Sequence, residues 1–128
     1  MSNADYRRWL RENSTERVFQ KESVRLCQEF AMSVRAFIMS EMKVAIANYG
    51  DLRDQLARSS LSATSNCTEA WCRYNKDARR MAFYAKGSAA EAVQQLKIAG
   101  ARQELIELGM QCCREIDRDL MHLSEGSD

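Results

Sequence analysis

There is no proline anywhere in the 128 residues, and the five glycines, at positions 50, 87, 100, 109 and 126, stand far apart. Proline removes a backbone donor and clashes with the preceding turn, and glycine is the next strongest helix breaker, so a chain this poor in both can form very long helices. No segment alternates apolar and polar residues as a half-buried strand would. The expectation is an all-α fold, a helical bundle of three to five helices.

Composition agrees with one folded domain over residues 1–128, since 45% of the residues are hydrophobic and 29% are charged. The 19 basic and 18 acidic residues leave a net charge of +1, so no overall field draws the chain to nucleic acid or to an anionic membrane. Arginine supplies most of the cations, and its planar fork suits carboxylate and interface contacts better than an ammonium does. The five cysteines form an odd set with Cys112 and Cys113 adjacent. With no leader-like segment and no long apolar run, they are read as thiols of a reducing, cytoplasmic compartment, with no membrane contact.

Residues 1–12 read as an amphipathic N-terminal arm, with Tyr6, Trp9 and Leu10 set against Arg7, Arg8 and Arg11. Asn13-Ser14-Thr15-Glu16 has the form of a capping box. Beyond it Phe19, Leu26, Phe30, Val34, Phe37, Ile38, Ala45, Ile46 and Tyr49 recur at helical spacing, which predicts one helix over about 16–49 and a stop at Gly50. Ser59 to Ser65 is the only low-complexity stretch and is expected to be a loop, because hydroxyls compete for backbone hydrogen bonds. Asn66-Cys67-Thr68-Glu69 then caps a helix that ends at Gly87. Ser88-Ala89-Ala90-Glu91 caps the last one, over about 88–123, before a frayed tail at 124–128. Helices 16–49 and 88–123 form a long antiparallel pair in this reading, and Gly100 and Gly109 mark close helix approach.

The residues that perform chemistry are sparse. Cys67-x4-Cys72 and Cys112-Cys113 lack zinc-ligand spacing, because adjacent helical residues point about 100° apart. His122 is the single histidine and falls in a last helical turn, where a cation complements the helix dipole. Glu115 and Asp119 lie among Arg114 and Arg118 as ordinary helix-surface pairs, and the glycines are too scattered for a phosphate loop. The reading is a protein that is not an enzyme, with no metal, cofactor or small-molecule substrate.

Binding is the function that remains. The apolar positions from Val93 to Leu123 cover a wider arc than one neighbouring helix can bury, which points to a partner protein or a second copy of the chain. The expected interface comprises Leu105, Leu108, Cys112, Ile116 and Leu120, with Met39 and Met42 as adaptable thioethers and Trp9 and Arg8 as anchors. Such a module would serve as a self-associating subunit, an adaptor or an inhibitor.

Two alternatives stand behind it. Arg73, Lys76, Arg79, Arg80 and Lys86, interleaved with Trp71, Tyr74, Phe83 and Tyr84, form a basic stripe of the kind that holds a phosphate backbone while an aromatic stacks on a base. Separately, Lys86-Gly87-Ser88-Ala89 is similar to the Lys-Gly-Ser-Ala that follows the phosphorylated histidine of histidine-containing phosphotransfer domains. The likeness covers about four residues. Phe83 stands in the histidine's place and the later glycine is replaced near Val93, so the resemblance implies an inactive bundle that binds a partner without carrying phosphate.

Overall fold

The structure, a computed structural model, describes residues 2–5, 21–42, 50–73 and 75–125. Four long helices are described: α1 (Lys21–Ser40), α2 (Gly50–Cys72), α3 (Asn75–Ile98) and α4 (Gln103–Glu125). Each packs on the next in sequence, and α1 closes the ring against α4. Pairs across the seams run in opposite directions along the chain. Thr64 bonds to Cys27 while Arg53 reaches Met42, and Ser59 meets Gln95 while Ser62 meets Ser88. The fold is an up-down-up-down antiparallel all-α bundle, as the periodicity predicts.

The helix boundaries differ from the sequence expectation. Instead of continuing to Tyr49, α1 ends at Ser40, where the amides of Glu41 and Met42 both donate to the Phe37 carbonyl at 2.9 Å and Met42 folds in to become buried. Residues 43–49 lie outside the described residues, as do Asn13–Glu16 and most of the N-terminal arm. Nothing in the local pattern stops the helix. The turn after Ser40 places the Met42 side chain in the core.

The expected loop at Ser59–Ser65 is the middle of α2, and Asn66 is a helix-interior residue. Several of these small polar side chains lie at helix contacts, Ser59 and Ser62 against α3 and Thr64 against α1. On α3 the buried Ala78, Ala82, Ala85, Ala89 and Ala92 recur at alternating four- and three-residue steps, and across the seam Ser59 meets Gln95 and Ser62 meets Ser88. The hydroxyls are satisfied without breaking the helix. Ser59 donates to the Leu56 carbonyl at 3.2 Å and lies 2.6 Å from Gln95 Oε1, and Thr68 donates to the Thr64 carbonyl at 3.0 Å.

The expected helix 88–123 is likewise redrawn. α3 runs unbroken through Gly87 and Ser88, and the Ser88 hydroxyl pairs with Ser62 at 2.9 Å rather than capping a new helix. The break falls at Gly100, whose φ of +73° is the left-handed conformation that glycine adopts without penalty. There the Gly100 amide donates to the Lys97 carbonyl and the Ala101 amide to the Leu96 carbonyl, the paired bonds of a Schellman motif. Gly100 is therefore a helix stop, whereas Gly109 is the close-approach glycine that the sequence suggests. A Cβ at Gly109 would lie 2.7 Å from Val93 Cγ2 and 2.8 Å from the Phe30 ring.

Candidate binding surface

Most of the expected partner interface belongs to the core. Leu105, Cys112, Ile116 and Leu120 are buried inside the bundle, Leu108 packs against it from the edge, and Met42 is buried at the end of α1. The wide apolar arc of α4 has a physical explanation within the chain, because a helix in a closed ring touches two neighbours, here α3 and α1. Met39 alone among those positions stands free, at 73% exposure. Arg8 and Trp9 lie outside the described residues.

The basic stripe is largely neutralised on its own surface. Arg73 is paired with Glu69 at 2.9 Å, Arg80 with Asp77 at 3.1 Å, and Lys86 reaches across to Asp117 of α4 at 2.6 Å. The Glu69 hydrogen bond also pushes the Arg73 pKa up. Lys76 is exposed, and the Arg79 guanidinium lies over the Phe83 ring at 5.4 Å. Tyr74 lies outside the described residues. As for the phosphotransfer-like residues, Phe83 is half exposed on the surface of α3, Lys86 is occupied by Asp117, and space is open around Gly87.

A surface that sequence reasoning missed lies between α1 and α2. Ala31, Arg35, Ile38 and Met39 from α1 and Ala57, Ser60 and Leu61 from α2 line a groove of about 380 Å³ that is almost wholly apolar. Leu61 is 63% exposed at its edge, so both helices carry a large apolar side chain outward along the groove. The spacing 31, 35, 38 and 39 on α1 and 57, 60 and 61 on α2 sets one stripe on each helix along the groove, with Ser60 buried, beside the inward stripes of Phe30, Val34 and Phe37 and of Leu56 and Ala63. The signal was present in the apolar residues left over once the core face is assigned, but Leu61 was hidden in the presumed loop.

Charge distinguishes this groove from its surroundings. On the other flank of α1, Arg25 is held between Glu22 and Glu29, and the hydrogen bond from Arg25 lowers the Glu22 pKa. Arg35 has no carboxylate within ion-pairing distance among the described residues. The groove thus offers apolar walls and one uncommitted cation. Cys27, Cys67 and Cys112 are buried deeper in the bundle, and among the described residues no cluster of three His, Cys, Asp or Glu side chains could hold a metal ion. No helix among the described residues is long and apolar enough to cross a membrane. Compared with known protein families, with curated proteins and with solved structures, the chain matches none.

Proposed function

We propose that this protein is a non-enzymatic binding module that receives an amphipathic helix of another protein in the groove between α1 and α2. The observation that carries this reading is the groove itself, apolar along its length and bordered by Met39 and Leu61, with Arg35 free to meet a carboxylate. Helix-in-groove recognition uses apolar anchors one turn apart, and a thioether such as that of Met39 adapts to different anchor shapes. Arg35 favours a partner helix with acidic residues flanking its apolar face, because a guanidinium pairs with carboxylate in a directed, two-pronged geometry.

Amphipathic helical peptides with one apolar face and either acidic or basic flanks provide the test, read by fluorescence anisotropy. Acidic peptides should bind in preference to basic ones, Leu61→Asp should abolish binding, and Arg35→Glu should reverse the charge preference. Equal binding of both peptide types, or binding unchanged by Leu61→Asp, overturns the reading. Light scattering across the same concentrations tests a second copy as occupant: a dimer dispersed by Met39→Lys would replace the partner helix with the chain itself.

A further inference from the structure

The core holds a pair of thiols that the binding reading does not use. Cys27 of α1 and Cys67 of α2 are both fully buried, and their sulfurs stand 2.8 Å apart across the seam. One turn before Cys67, the Thr64 hydroxyl donates to the Cys27 carbonyl at 2.7 Å, so the backbones that carry the two sulfurs are tied together at that level. A third thiol, Cys112 of α4, donates to the adjacent Leu26 carbonyl at 3.5 Å and also interacts with Cys27. A disulfide needs the sulfurs at about 2.05 Å, so closing the Cys27–Cys67 pair requires a shift of less than about 1 Å.

We propose that Cys27 and Cys67 are a disulfide-forming site: a peroxide converts them into a cystine that joins α1 to α2, while Cys112 remains a thiol. One sulfur attacks a peroxide oxygen and becomes a sulfenic acid, releasing water. The second sulfur then attacks the first, forming the S–S bond and expelling the sulfenic oxygen as a second water. Both thiol protons end in the two waters, and the two electrons lost by the sulfurs reduce the O–O bond.

The reaction has a defined tempo. The Cys112 hydrogen bond favours the Cys27 thiolate, but the Cys67 contact and burial outweigh it and push the Cys27 thiol up. The thiolate is the attacking form, so the pair oxidises slowly near neutrality and faster as pH rises. The product is a cross-link between two helices that forms slowly at neutral pH. It closes a loop spanning 40 positions, a constraint placed mainly on the unfolded chain. The cross-link forms whether or not a helix occupies the groove.

The test uses the full chain carrying Cys72→Ser, which removes the exposed thiol from the tryptic peptide that contains Cys67. After hydrogen peroxide treatment, alkylation under denaturing conditions and trypsin digestion, mass spectrometry should find residues 26–35 joined to residues 59–73. The intact mass should fall by two hydrogens, and the thermal midpoint should rise by ~5 °C or more and return on reduction. Faster cross-linking at pH 9 than at pH 7 is also expected. A link from Cys27 to the 103–114 peptide, or a Cys27 that stays fully alkylated while Cys113 oxidises, overturns the proposal.

Discussion

The Phe30 ring lies directly against Gly109, with two of its carbons 2.8 Å from where a Cβ would project. Phe30 is completely buried, and the same missing Cβ makes room for Val93, so one glycine lets α4 approach both of its neighbours. Gly109→Ala gains helix propensity of ~1 kcal/mol but forces a methyl into a filled space, which typically costs ~1–3 kcal/mol. The expected outcome is net destabilisation, seen as a lower urea midpoint by circular dichroism. Gly87→Ala is the contrasting case: it meets open space in mid-helix and should stabilise by ~0.5–1 kcal/mol.

Gly100→Ala should destabilise for a different reason. There is room for the methyl, but the +73° φ is costly for any residue with a Cβ, by ~1 kcal/mol. Combined with Gly87→Ala the two effects should nearly cancel in the same denaturation assay, since the sites are remote from each other along α3.

Asp119 of α4 is buried and accepts a 2.6 Å hydrogen bond from the Ser23 hydroxyl of α1. Ser23→Ala removes a donor from a buried carboxyl group and should cost ~1.5–3 kcal/mol. Ser23→Thr keeps the hydroxyl and should recover part of that loss. Urea unfolding of the three proteins side by side provides the check.

The buried positions of α3 from Ala78 to Ala92 are all alanine. Ala85→Leu places three extra carbons where the helices meet and should lower stability by at least ~1–3 kcal/mol. Ala90→Leu, on the exposed side of α3, should change it by no more than ~0.5 kcal/mol. Thermal melts of both variants distinguish a narrow seam from a generally tolerant helix.

Because Arg73, Arg80 and Lys86 are already engaged by carboxylates, nucleic-acid binding should be weak. Single-stranded oligonucleotides should bind no more tightly than ~100 μM at physiological salt, the weak end of non-specific association. Micromolar binding that falls steeply with salt, and that drops further in Arg79→Ala, would instead restore the stripe on α3 as the functional surface.

The class of fold was legible because periodicity at three and four residues survives any placement of the turns. The turns themselves were not, because glycines and capping patterns occur here inside helices as well as at their ends. Gly87 and Gly100 look alike in sequence, yet only Gly100 takes the left-handed conformation. The alanine series from Ala78 to Ala92 keeps its phase straight across Gly87, and that continuity was the available sign that no break occurs there. Ser88-Ala89-Ala90-Glu91 has every residue of a capping box but lies in mid-helix, with Glu91 accepting from Gln95 at 3.2 Å. Most of the expected interface residues on α4 are core residues, since a wide apolar arc fits a subunit contact and a helix with two neighbours equally well. The groove on α1 and α2 emerged only once Leu61 was known to be helical.

The ring of four helices also dictates an order of assembly. Three of its seams join helices consecutive in the chain, two of them across links of only a few residues, so they form with little loop-closure entropy. The α1–α4 seam unites distant segments, with Ser23 and Asp119 separated by 96 positions. Docking of α1 onto α4 is accordingly expected to come last, and substitutions in that seam should register mainly in the unfolding rate.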